Sequence, residues 1–296
     1  MDSIRRKLLL LLGGVALLAI FTIGSLWLNR EVREGIVIGG KGNEGEILSE
    51  ILAQLIERDL GIPVKRKCKL ESTFILFQAL RGKQIDLYVE YTGTALSAIL
   101  GKETAQKSRK EIYNEVQNGL ACWGIETLSP LGFENRYALI MEVEVAKEYG
   151  ISTLSDLALK GSELKVGFDQ EFCGREEFKV LEDQYRIPLH NLKMMDHVLL
   201  YLSLDRKGCD VINGYSTDGF CRGLKLLEDD LELFPSYEAV PIIRKDILQK
   251  YEGLEAVIET LAGKISNEAM QEMNYEVEKN GETAYNVAET FLRTHR

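Results

Sequence analysis

The 296-residue chain has only three histidines, His190, His197 and His295, and five cysteines, Cys68, Cys122, Cys173, Cys209 and Cys221, that follow no framework spacing. An odd number of thiols without CxxC or HxxxH patterns gives neither a disulfide-stapled scaffold nor a recognisable zinc site. Cys173, Cys209 and Cys221 with His197 is the one metal grouping to weigh, and small buried hydrophobes is the simpler role for these thiols. GxSxG, HExxH and Walker Gly-Lys-Ser/Thr motifs are missing, so no hydrolase elbow, metalloprotease helix or nucleotide-driven motor is encoded, and although Gly40 to Gly45 has GxGxxG spacing, the acidic Glu44 within it argues against a dinucleotide fingerprint. Cys173 with His190 or His197 is the candidate thiol and base pair for an enzyme, and no orienting third group accompanies it. Positive charge is short as well. The net charge is -10, and no dense Lys/Arg cluster follows Arg5, Arg6 and Lys7. That balance argues against a nucleic-acid partner and favours cationic ligands. No cofactor is implied.

What is present begins with an apolar run, Leu8 to Leu28, free of charge and preceded by the basic flank. It is long enough to span a membrane as a helix, with the flank left inside. Residues 1–30 are therefore expected to be a signal peptide or, in the absence of a convincing cleavage site, an uncleaved membrane anchor. Beyond it, short strand-like segments alternate with helical periodicity, which predicts an α/β fold. Gly35 to Gly39 reads as a strand, Gly39 to Gly45 as a loop, and Glu46 to Asp59 as a helix. Glu44 and Glu46 would repel a phosphate at that turn. A second set of βα units runs from Leu164 to Asn213. The final third reads as a strand, Ala239 to Ile243, followed by helices.

The stretch Asp86 to Thr94, DLYVEYTGT, is expected to be a strand over Ile85 to Val89 that opens through a polar, aromatic tip into a helix at Ala95 to Leu100. Strand ends of open α/β sheets are where ligands bind. Gly93 is expected to let a ligand approach the backbone, whereas Asp86, Glu90 and Asp218 are expected to be caps and structural acceptors.

DLYVEYTGT, then PLGFENRYAL (Pro130 to Leu139), VINGYSTDG (Val211 to Gly219) and DDLELFPSYEAVPIIR (Asp229 to Arg244) occur in an order and at separations that resemble the substrate-binding proteins of glycine betaine, carnitine and choline (osmoprotectant) ABC transporters. The resemblance covers nearly all of residues 35 to 296. It departs at the first loop, where KGNEGE replaces a Lys-Asn-Phe-Thr-Glu-Gln type run, so a ligand contact from Lys41 is not carried over. The resemblance implies a bilobal periplasmic-binding-protein fold of type II, preceded by the N-terminal hydrophobic helix. Lobe one would be 35–138 with 239–296, lobe two 139–238, and the hinge would lie near Arg136 to Met141 and Ser236 to Val240. It also implies an extracytoplasmic receptor whose partners are a quaternary ammonium solute, ABC permease and ATPase subunits, and the membrane through the N-terminal segment.

A quaternary ammonium donates no hydrogen bond and must be held by ring faces and shape. The family's tyrosine cage falls on Tyr91, Tyr137, Tyr215 and Tyr237. Thr94, Asn135 and the amides of Ser216 to Gly219 are the expected donors to a carboxylate or hydroxyl at the ligand's other end. Phe at 91 or 215 is expected to preserve binding. The alternatives are another betaine-like zwitterion, such as carnitine or a histidine betaine, or a receptor of the same fold that feeds a sensor.

Overall fold

The computed structural model describes residues 35–68, 70, 72–104 and 107–294, so the basic flank, the apolar run and His295 lie outside the described residues. Among the described residues, no helix is long and apolar enough to cross a membrane. The strands form two five-stranded sheets. The first contains β1 (Ile36–Gly39), β2 (Val64–Lys67), β3 (Leu87–Tyr91), β4 (Ile125–Thr127) and β10 (Ala239–Arg244), in the order β2-β1-β3-β10-β4. The second contains β5 (Tyr137–Met141), β6 (Val166–Phe168), β7 (Leu192–Met194), β8 (Val211–Tyr215) and β9 (Lys225–Leu226), in the order β7-β6-β8-β5-β9. In each sheet three strands run parallel, and a strand arriving from the other half of the chain pairs antiparallel beside them.

Helices α1 (Gly42–Leu60), α2 (Thr73–Arg81) and α3 (Arg109–Ala121) belong to the first sheet. Helices α4 (Val143–Tyr149), α5 (Leu154–Lys160), α6 (Gln170–Cys173), α7 (Glu176–Val180) and α8 (His197–Asp205) belong to the second. After β10 come α9 (Lys245–Lys250), α10 (Leu254–Glu259), α11 (Asn267–Glu278) and α12 (Ala284–Thr294). The apolar face of α1, Ile47, Leu48, Ile51, Leu52, Leu55 and Ile56, is buried against Met270 and Met273 of α11 and Val287, Ala288 and Phe291 of α12. The C-terminal helices thus complete the first sheet's core, while the second sheet has a core of its own around Leu139, Phe168, Phe172 and Val211.

The chain passes between the sheets through two antiparallel stretches. Glu134 bridges Glu238, the Asn135 amide donates to the Tyr237 carbonyl (3.2 Å), and the Ala239 amide donates to the Phe133 carbonyl (3.1 Å). The change of sheet therefore falls at 134–136, and the border expected at 138 lies inside β5.

Three local expectations shift, and the shifts matter for the site. Helix α1 starts at Gly42 and not at Glu46, because Gly40 lies so close to the Gly45 carbonyl (a Cβ would be 2.5 Å from it) that the loop shrinks to Gly40 and Lys41. That places Glu44 in the first helical turn, where a carboxylate faces the positive end of the helix dipole. Strands β3 and β8 each run two residues further than expected. Their ladders continue because Tyr91 pairs with Ala239 and Tyr215 with Tyr137. Both tyrosines are last strand residues and not turn residues.

Candidate functional site

Tyr137 and Tyr215 are antiparallel register partners on β5 and β8. Side chains of opposed residues share a sheet face. Their ring centroids are 4.8 Å apart at 32°, and the two hydroxyls are 3.1 Å apart. Phe172 of α6 backs Tyr137 at 4.9 Å. Tyr91 ends β3 in the other sheet, edge-on to Phe133 at 6.5 Å. Tyr237 lies on the returning passage, and its ring rests on Gly93, where a Cβ would be 2.6 Å from the ring. Its hydroxyl donates to Glu177 of α7 (2.9 Å). One tyrosine thus ends a strand of the first sheet, two face each other in the second, and the fourth links Gly93 to α7.

Burial pushes all four phenols up: Tyr137 to about 12, against a lowering contribution from Tyr215, and the others further, helped by Glu44 for Tyr91, by Tyr137 for Tyr215 and by Glu177 for Tyr237. The rings are therefore neutral phenols at physiological pH.

Gly93 does not open the backbone to a ligand as expected; the space its missing side chain leaves is taken by Tyr237. After Tyr91 the chain makes a short helical turn, Thr92–Thr94, and then a wider one, Ala95–Ile99, closed by Leu100 N–H to the Ala95 carbonyl (3.0 Å). Such widened turns recur at functional sites. Thr94 sits half-buried here.

Glu44 was not foreseen. Its Oε1 accepts from the Tyr91 hydroxyl and from Asn135 Nδ2 (3.0 Å), and its Oε2 from Asn274 Nδ2 (2.7 Å) on α11. The first loop that departs from the expected run thus enters the site through Glu44, and Lys41 instead lies on the surface beside Thr73 (3.3 Å). Asn135 is spent on Glu44 through its Nδ2, leaving its buried Oδ1 without a partner among the described residues. An acidic side chain in the first turn of a glycine-rich helix start is a visible signal; the three donors that converge on it, from positions 91, 135 and 274, are not.

The other expected donors are partly committed. The Ser216 amide donates to the Arg136 carbonyl (2.8 Å) and the Asp218 amide to the Tyr215 carbonyl (3.1 Å), and the following helical turn, Gly219–Cys221, is only three residues long. A cation is closer at hand. The Arg175 guanidinium stands 6.0 Å from the Tyr137 ring centroid and pairs with Glu171, which keeps it charged despite burial.

As expected, Asp86, Glu90 and Asp218 are structural acceptors. Asp86 holds the Val37 amide (2.8 Å) and Arg244 (2.9 Å), and Glu90 holds the Tyr91 amide (2.9 Å) and the Tyr88 hydroxyl (3.2 Å). Asp218 takes the Tyr215 amide (2.9 Å) and the Tyr201 hydroxyl (2.7 Å).

His197 is not a base for Cys173. Both ring nitrogens of His197 face carboxylates, Asp169 (3.2 Å) and Asp218 (3.1 Å), and burial with the charge of Asp169 pushes the Cys173 thiol up, away from a reactive thiolate. All five cysteines are free, and among the described residues no His/Cys/Asp/Glu group has a metal-holding arrangement.

The sequence profile described as the substrate binding domain of ABC-type glycine betaine transport system matches residues 34–294. The carnitine transport binding protein OpuCC of Listeria monocytogenes is 35% identical over 256 residues, covering 84% of this chain and 83% of that protein. The ergothioneine transport permease/ergothioneine binding protein EgtU of Helicobacter pylori is 35% identical over 284 residues, covering 90% of this chain and 49% of that protein, so this chain spans about half its length. A solved structure of a glycine betaine/carnitine/choline ABC transporter superimposes with a TM-score of 0.84 at 32% identity, covering 88% of this chain and 98% of that one. The chain belongs to the family of substrate-binding domains of ABC-type glycine betaine transport systems.

Proposed function

We propose that the chain is the extracytoplasmic receptor of an ABC importer for a quaternary ammonium osmolyte, and that Tyr91, Tyr137, Tyr215 and Tyr237 form the box that holds the cation. The observation that carries this reading is the register pairing of Tyr137 with Tyr215, two neutral phenols, the first buried and the second partly buried, facing each other at 4.8 Å beside the passage between the sheets. A trimethylammonium group has no hydrogen to donate, and several electron-rich ring faces in a partly dry site attract it by about 1–2 kcal/mol each. Tyr91 and Tyr237 come from the other sheet and from the passage, so a cation touching all four draws the two halves together, and affinity is linked to closure. Arg175, beside Tyr137, is the group suited to a ligand carboxylate. Permease and ATPase subunits complete the importer, and the apolar run at Leu8 to Leu28 tethers the receptor to the membrane.

Calorimetric titration with glycine betaine, choline, carnitine and glycine tests this. Trimethylated ligands should bind and glycine should not; a folded protein that binds none of them removes the reading. Tyr215→Ala should weaken binding about tenfold, since one ring face is lost, and Tyr215→Phe should bind nearly as the wild type does. Tyr91 differs. Its hydroxyl serves Glu44, so Tyr91→Phe strips a donor from a carboxylate and should itself cost about 1–3 kcal/mol of stability or affinity. Equal affinities for the two Phe variants, with unchanged melting points, would separate Glu44 from the site.

A second reading has a specific observation behind it. Glu44 with the unpartnered Asn135 Oδ1 presents acceptors next to Tyr91, and glycine betaine has no N–H or O–H to give them. A trimethylated histidine-type ring, as in ergothioneine, has ring N–H donors. Including ergothioneine in the titration, with Glu44→Gln alongside, distinguishes the two. Under this second reading Glu44→Gln lowers affinity for ergothioneine about tenfold and leaves glycine betaine unchanged.

A further inference from the structure

His197 opens α8 with both ring nitrogens held: Nδ1 is 3.2 Å from Asp169 Oδ2 and Nε2 is 3.1 Å from Asp218 Oδ2. A neutral imidazole has one N–H and one lone pair, so it satisfies only one of two facing carboxylates; both contacts are hydrogen bonds only in the imidazolium. The two carboxylates are themselves fixed. Asp169 also binds Asn213 Nδ2 (2.8 Å) and the Phe172 amide (2.7 Å), and Asp218 takes the Tyr215 amide and the Tyr201 hydroxyl. The ring so clamped lies 5.4 Å from the Tyr215 ring at 42°, on a cavity of about 760 Å³ that Tyr215 also lines.

We propose that His197 is a positioning residue for the ligand box: clamped between Asp169 and Asp218, its ring sets the angle at which Tyr215 faces the bound cation. The proposal rests on the tyrosine reading of the site. Removing the proton breaks one of the two clamps, and the imidazole, then free to turn, no longer fixes its neighbour.

The titratable groups around His197 are Asp169 and Asp218, which it contacts, Tyr201 and Tyr215, whose rings lie 5.7 Å and 5.4 Å from its own, and Glu171 and Asp196, which line the same cavity, with Cys221 behind Tyr201 (3.3 Å). Burial disfavours the imidazolium, but Asp218 and then Asp169 outweigh it and push the histidine from 6.5 up to about 9. Cys221 is pushed by burial to about 12, and Tyr201 and Tyr215 are driven well above the ordinary phenol. Neither the thiol nor the phenols of this cluster titrate where His197 does. Because the folded-state value is the raised one, the stabilisation from the clamp is fully present below pH 6.5 and is lost as the pH rises through about 9.

The test has two arms. In protein carrying ring-labelled tyrosine and histidine, with Tyr215 and His197 signals identified by their loss in Tyr215→Phe and His197→Gln, NMR is recorded from pH 6 to 10. The Tyr215 signal should move with the midpoint of His197, about 9, and stay still in His197→Gln. Glycine betaine affinity should be about tenfold lower in His197→Gln at neutral pH, and wild-type affinity should fall toward the variant's as His197 deprotonates. A Tyr215 signal that ignores the His197 titration overturns the proposal, as does a variant with wild-type affinity and pH profile. If the Tyr215 signal follows His197 but no trimethylated ligand binds, the positioning stands and the ligand reading fails alone. If the variant does not fold, the wild-type NMR titration decides by itself.

Discussion

Gly93→Ala is expected to weaken binding of a trimethylated ligand about thirtyfold, equivalent to about 2 kcal/mol for the loss of one desolvated ring face. A Cβ at this position would lie 2.6 Å and 2.7 Å from the Tyr237 ring and 2.8 Å from the Ser236 carbonyl. The carbonyl is backbone and cannot swing aside, so the strain falls on the ring. Displacing Tyr237 also breaks its hydrogen bond to Glu177, which ties the passage to α7. Overpacking of this kind costs about 1–3 kcal/mol, so the fold should survive with a lowered melting temperature. Calorimetry and thermal denaturation of the same sample separate the two effects. Unchanged affinity in a destabilised protein would take Tyr237 out of the ligand's reach.

The larger effect on stability is expected from Asp86→Ala, about 3–5 kcal/mol, since it leaves a buried guanidinium without its partner. Asp86 is 1% exposed and Arg244 8% exposed. The carboxylate joins three strands at once: Oδ2 takes the β1 amide of Val37, Oδ1 meets Arg244 of β10 at 2.9 Å, and its own carbonyl accepts the Arg244 amide (3.1 Å) just ahead of β3. Arg244 then keeps Asp246, which is half-exposed, and a long hydrogen bond to the Ile85 carbonyl (3.4 Å). Urea denaturation should show the loss without a change in the affinity of the folded fraction. A loss below about 1 kcal/mol would mean that water reaches Arg244 readily and that the pair is not a buried one.

The two variants sit seven residues apart in DLYVEYTGT, which shows how the sequence could be read and where it fell short. Its order of strands and helices was legible because buried parallel strands and amphipathic helices differ in period, and the apolar face of α1 shows this plainly. The tyrosines stood out through the motifs that resemble the family's, and each of them lies beside turn residues. Strands β3 and β8 lie two residues further along than expected, since the ladder at their ends is set by partners 148 and 78 positions away, which no local pattern reports. The same holds for Glu44 and His197. Each is unremarkable in its own segment, and its role comes from groups brought by distant elements: Asn274 from α11 for the one, Asp169 and Asp218 for the other. Gly93 was correctly singled out but for the wrong neighbour.

Helix α11 belongs to the first core, yet its polar side grips the second half of the molecule. Gln271 donates to the Ser216 carbonyl (2.7 Å), Asn274 to the Thr217 carbonyl (2.7 Å), and Gly219 is so close to the helix that a Cβ would be 2.5 Å from the Tyr275 nitrogen. The turn after β8 is therefore held by a helix of the first sheet's core, so the two sheets are tied at a third point besides the two passages, and freeing the turn that follows Tyr215 breaks two side-chain hydrogen bonds.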